Sequence, residues 1–178
     1  MRKILSIFRR DIRQDEEGVT AVEFALVGLP FIFMIIGIVE MALMFTAQSL
    51  LEASTAEASR QIRTGAVQQG GGETMFQDAL CEFADAFIPC PEIQYQVVSM
   101  DSFEEIEDLP PPSFDDDGNL EDQEFTPGGV SDVVMIRTAY NYPIKTPLMQ
   151  LALTNDSNGK RILMSTVVLK TEPYEFED

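Results

Sequence analysis

The sequence has no histidine, and only twelve Lys and Arg residues stand against thirty Asp and Glu. The commonest general base and metal ligand is therefore missing. No Gly-x-Ser-x-Gly, phosphate-binding glycine loop or paired-cysteine metal motif occurs. A carboxylate pair can hydrolyse a glycosidic bond, but nothing in the sequence places two carboxylates in one cleft, and the chain reads as a non-enzyme. Basic residues are scarce unevenly: none lies between Arg63 and Arg137, and the formal charge is -18. Such a surface repels nucleic acid and anionic lipid, so no nucleic-acid partner is expected. Cysteine is limited to Cys81 and Cys90.

Against these absences stands one long apolar run. From Val19 to Ala47 only Thr20, Glu23, Glu40 and Thr46 are polar. As a helix, residues 19–47 would be about 43 Å long, enough to cross a hydrocarbon core of about 30 Å. Glu23 and Glu40 would lie roughly 26 Å apart along its axis, Glu40 near the far interface and Glu23 inside the near one. A carboxylate there costs about 2–3 kcal/mol and usually has a partner; a free α-amino group is one candidate. Upstream, residues 1–18 carry Arg2, Lys3, Arg9, Arg10 and Arg13 and end in Gly18. A secretory signal is cut after its apolar region, whereas here the small residue precedes it. The basic leader predicts a cytoplasmic N-terminus, with everything after the helix outside the cytoplasm. In that compartment Cys81 and Cys90 are expected to form a disulfide, Pro89 turning the chain back; two buried free thiols are the alternative.

Leu43, Ala47, Leu50, Leu51, Ala58 and Ile62 continue the helix as a stripe of period 3.6, with Gly65 as its stop. Pro30 removes the hydrogen bond to the Leu26 carbonyl, and Gly28 and Gly37 weaken the helix around it. An ordinary kinked membrane helix and a segment able to unwind in a filament both fit. Gln68–Gly72 reads as a flexible link. Thr74 and Gln77 form a capping-box pattern ahead of a second helix over 75–87. Its stripe of Phe76, Ala79, Leu80, Phe83, Ala84 and Phe87 reads as core. Three strands follow: one alternating at Ile93, Tyr95 and Val97, one with Val134, Ile136, Thr138, Tyr140 and Tyr142 on one face, and one over Leu163–Leu169. Thr146-Pro147 opens a short helix, and Asn155–Gly159 is a turn. The fold class is α+β: a long helix, a second helix and a three-stranded, antiparallel sheet.

Between the first two strands, Asp101–Glu124 holds eleven Asp or Glu residues and no basic one, which predicts an exposed, mobile loop. Within it Asp115, Asp117, Asn119 and Glu121 place oxygen ligands at alternate positions, chemically suited to Ca²⁺ although the spacing is not that of an EF-hand. The bland reading is a solvated acidic loop.

A charged leader ending in Gly18 directly before an apolar helix resembles a type IV prepilin-type leader. The string AVEFAL around Glu23, followed by Pro30, resembles the TadE-like family of minor pilins (pseudopilins) of the tight-adherence pilus system. So do Cys81 on a helix, Pro127-Gly128 before a strand, Tyr140–Pro147 (YNYPIKTP) and the tail Val168–Tyr174 (VLKTEPY). The resemblance implies cleavage between Gly18 and Val19 by a prepilin peptidase. It also implies residence in the inner membrane with residues 48–178 periplasmic, docking to other pilins through the helix, and a place in an extracellular pilus. Glu23 would then neutralise an N-terminal amine. The family's major pilins carry Glu-Tyr where this chain has Glu23-Phe24 and are far shorter, so a bulk filament subunit is not implied. The rival is an uncleaved single-pass membrane protein whose acidic external domain binds a ligand or envelope partner.

Overall fold

The computed structural model describes residues 16–154 and 159–173. The leader before Glu16, the turn residues 155–158 and Tyr174 of the tail lie outside the described residues. The chain divides into two compact units, Met1–Glu40 and Met41–Asp178. Helix α1 (Glu16–Arg63) runs through the division. It ends because Gly65 adopts φ 80°. The Ala66 amide then bonds the Gln61 carbonyl and the Gly65 amide that of Ile62, each at 3.1 Å, which satisfies carbonyls the last turn would leave bare.

In the second unit α1 buries Met44, Ala47, Leu51, Ala58 and Ile62. Leu43, expected on this stripe, is exposed, and Met44 takes its place. Gln68–Gly72 is not the flexible link expected. Val67–Gly71 makes one wide helical turn that kinks at Gly70, where φ is 128°, and α2 (Gly72–Ala84) follows. Val67 is buried, and Gln68 Nε2 donates to the Pro127 carbonyl at 2.9 Å. With the helix starting early, Thr74 sits inside it. The capping residue is Gly71, which has no side chain to cap with. The phenylalanine stripe is also corrected. Phe76, Ala79, Leu80 and Ala84 are buried, but Phe83 and Phe87 are 48% and 40% exposed. The helix ends at Ala84, whose carbonyl accepts from both Phe87 and Ile88. The core-facing line at this end becomes Leu80, Ala84 and Ile88.

The sheet is antiparallel in the order β1 (Ile93–Met100), β2 (Val133–Pro143), β3 (Lys160–Lys170). The five alternate residues Val134, Ile136, Thr138, Tyr140 and Tyr142 are all buried, and the register brings Val97 and Val167 beside Ile136. The main core joins these residues to Leu51, Ile62, Phe76 and Leu80 of the two helices. At its centre the Thr55 hydroxyl of α1 lies 2.6 Å from that of Thr138 of β2, both fully buried. Helix α3 (Pro147–Leu153) follows β2. Thr146 caps it with its backbone only, its carbonyl accepting from Met149 and Gln150.

The stretch Asp101–Glu124 is pinned to the domain rather than free. Its carboxylates face solvent, but Ile106 and Leu109 pack on Met100, Val133 and Met135 behind the sheet. Phe114 bridges to Leu120, which is buried. The segment then runs beside β1, the Val97 amide donating to Glu124 O at 2.7 Å and the Thr126 amide to Val97 O at 2.8 Å. This covers an edge strand that would otherwise be open.

Candidate functional site

The first half of α1 is apolar on every side and exposed on every side. Phe24 is 78% exposed and Leu26 70%, with Val27, Ile32, Met34 and Ile38 also exposed. Apolar surface left in water costs about 25 cal/mol per Å², so a helix hydrophobic all round belongs in lipid or among other apolar helices. From Gly18 to Arg63 it is long and apolar enough to cross a membrane.

Gly18 and Val19 lie in α1, among its first described residues. Gly18 is exposed, and a Cβ placed on it would touch nothing within 4 Å. Glu23 is exposed one turn beyond Val19. Residues four apart share a helix face, about 6 Å apart along the axis, so Val19 and Glu23 lie on one face of α1. Glu40 is only 6% exposed. The two carboxylates of the apolar run thus have opposite surroundings, which their residue type alone did not signal. Helix α1 continues through Pro30.

In the second unit Cys81 of α2 and Cys90 are joined by a disulfide with Cα atoms 5.4 Å apart, within the span such bonds need. Beside it the Tyr95 hydroxyl donates to Glu73 at 2.7 Å and accepts from Gln77 Nε2, so Gln77 serves this contact and not a helix cap. Burial raises the Tyr95 pKa above the ordinary tyrosine range, the Gln77 hydrogen bond opposes this, and the neighbouring Glu73 adds to it. The Tyr95 ring stacks edge-on against Phe76 at 5.2 Å, and Phe125, just after the acidic stretch, lies 5.5 Å from Phe76.

The acidic turn is organised by Asp115. Its carboxylate accepts from the amides of Asp117 and Asn119 and from Asn119 Nδ2, at 2.9, 2.7 and 3.0 Å. These bonds hold the Asp115 pKa below the ordinary carboxylate range, the Asn119 side chain contributing most. Gly118 turns the chain at φ 80°. Asn119 Oδ1 accepts from Gln94 of β1, which directs it to the sheet rather than to the other expected ligands. Among the described residues no three His, Cys, Asp or Glu side chains gather where they could hold a metal ion. A residue that composition did not flag is Arg137. Its guanidinium donates to Gln96 Oε1 at 3.3 Å and to the Pro110 carbonyl at 3.2 Å, tying the stretch to the back of the sheet. Partial burial lowers its pKa.

Residues 18–60 match the family model described as TadE-like protein. The match opens at Gly18 and takes in most of α1, so the segment carrying Glu23 and Pro30 is TadE-like. The match covers this helical segment and not the α+β domain that follows it. No curated protein and no solved structure matches the chain.

Proposed function

We propose that the protein is a minor pilin, or pseudopilin, that takes part in assembling a tight-adherence type IV pilus. Its leader is removed between Gly18 and Val19 by a prepilin peptidase. The new N-terminus stays at the cytoplasmic side of the inner membrane, and the α+β domain lies in the periplasm. The apolar half of α1 leaves lipid to dock among the helices of other pilins. There Glu23 neutralises an N-terminal amine, its own or a neighbour's, and a misregistered subunit would leave a buried charge unpaired. The role is structural, with no reaction catalysed.

The observation that carries this reading is the coincidence at Gly18. The TadE-like match begins there, and an exposed apolar helix with a single carboxylate in its second turn follows at once. The test is the N-terminal mass of protein extracted from membranes of cells with an active peptidase. A chain beginning at Val19 is expected. A chain still beginning at Met1 refutes the assignment and leaves the uncleaved single-pass protein.

A further inference from the structure

Helix α1 and strand β3 run side by side in opposite directions through the second unit. Gln48 Nε2 donates to the Met164 carbonyl at 3.1 Å, and just past the other end of β3 the Glu172 amide donates to the Arg63 carbonyl at 2.9 Å. Between these two ties the helix rises about 22 Å and the strand about 26 Å, so they keep pace. Arg161 lies three residues before Met164, about 10 Å further along, a distance that takes about seven residues of helix. Arg161 is therefore level with about Met41, where the apolar run of α1 enters this unit. Its guanidinium donates to the Leu153 carbonyl at 3.0 Å, which fixes α3 at the same end.

One side of α3 is anchored and the other is bare. Met149 and Leu153 pack on the main core, and Gln150 Nε2 donates to the Ile144 carbonyl at 2.8 Å. Leu151 and Ala152 are exposed. At 87%, Leu151 is the most exposed large apolar side chain among the described residues, ahead of Phe24 at 78% in the bare half of α1. No residue from Thr146 to Thr154 is charged, in a chain of which 24% is. A helix apolar on both sides calls for an apolar neighbour. At the same level Met41, Leu43 and Phe45 of α1 are exposed too. The acidic turn is kept from this face: Asn141, which donates to the Asp117 carbonyl, alternates with the core-facing Tyr140 and Tyr142 and so points behind the sheet. A hydrocarbon core of about 30 Å takes about 20 residues of helix. A helix entering it at Val19 leaves it near Val39, and Met41–Ala47 then pass through the headgroup layer.

We propose that α3 is a membrane-contact element: Leu151 inserts among the phospholipids at the level where α1 leaves the hydrocarbon core, and this seats the α+β domain on the bilayer. Burial of apolar surface at the lipid boundary supplies the affinity. The proposal rests on the reading of α1 as a membrane helix, and not on cleavage at Gly18 or on a pilus. The chain has no tryptophan, so one substitution gives one reporter. The full chain is reconstituted in vesicles of phosphatidylcholine, whose neutral headgroup removes the repulsion expected of an acidic protein. Quenching is read with the same lipid brominated near the headgroup end of its acyl chains. Leu151→Trp is expected to emit blue-shifted light and to be quenched by the bromolipid. Phe103→Trp, beyond β1 at the Arg63 end of the domain, is expected to emit as in water and to stay unquenched. Ile36→Trp, within the apolar run, reports whether α1 itself is in lipid. Ala152→Trp is expected to be quenched, and to lose that quenching when Leu151→Asp is added, a change at a side chain too exposed to matter for folding. Quenching of Ile36→Trp with water-like emission from Leu151→Trp overturns the proposal and leaves the membrane helix standing. No quenching of Ile36→Trp overturns both. Leu151→Trp shielded from aqueous iodide but untouched by bromolipid means that protein covers α3, a second copy or another chain, and overturns it as well. So does quenching of Ala152→Trp that Leu151→Asp leaves unchanged.

Discussion

The contact between Thr55 and Thr138 can be dissected by substitution, because the structure fixes the direction of its hydrogen bonds. Thr55 donates to the Leu51 carbonyl at 2.6 Å. Its single proton is spent there, so the 2.6 Å contact between the two hydroxyls must be Thr138 donating to Thr55. Both side chains are fully buried between α1 and β2. Thr55→Val keeps the shape, deletes the acceptor and strands the Thr138 proton in the core, at a cost of about 1–3 kcal/mol. Thr138→Val removes the donor but leaves Thr55 bonded to Leu51, and should cost about 0.5–1.5 kcal/mol. The double variant leaves no stranded proton. It should be more stable than the sum of the single effects implies, by a coupling of roughly 0.5–3 kcal/mol. Thermal melts of the full chain in detergent, followed by near-ultraviolet dichroism of the core tyrosines, read the order directly. A loss of 1 kcal/mol lowers the midpoint by about 3–5 °C at this domain size. If Thr138→Val proves the more damaging single change, or if the two effects simply add, the assigned direction is wrong.

Glu23→Ala removes a polar group from an apolar helix, so membrane insertion should persist while co-purification with partner pilins falls; undiminished recovery of the complex would refute the pairing role. Cys81 and Cys90 should resist alkylation in denatured, unreduced protein. Replacing both by serine should cost roughly 2–3 kcal/mol through the short loop released, and two freely alkylating thiols would contradict the bridge. The Asp115 turn is held by its own amides, so calcium at about 1–5 mM, spanning weak extracellular affinities, should leave the melting midpoint unchanged. A rise with calcium, absent with magnesium and abolished by Asp117→Ala, would restore the metal reading.

Where a single periodicity dominated, the sequence was sufficient. The stop at Gly65 and the five-residue inner face of β2 follow from local rules, a left-handed glycine and strict alternation, and tertiary contacts only reinforce them. The failures fall where a long-range partner decides. Thr74 and Gln77 have capping chemistry, but Val67 finds a place in the core, the helix begins earlier, and Gln77 is drawn to Tyr95. Phe83 and Phe87 continue a helical stripe that the chain leaves at Ala84, so Ile88 takes the inward place.

The acidic stretch is the instructive case, because composition described its surface correctly and its position wrongly. Repulsion among eleven carboxylates argues for expansion only if nothing apolar is spaced among them. Ile106, Leu109 and Leu120 are so spaced, Phe125 follows the last carboxylate, and each meets the sheet or the core beside it. A buried apolar side chain contributes about 1.5–3 kcal/mol, whereas exposed charges are screened over about 8–10 Å at ordinary salt. A few anchors can therefore outweigh the repulsion, and Arg137 adds a cationic hold on the Pro110 carbonyl at the stretch's midpoint. The same anchors cover the β1 edge of the sheet.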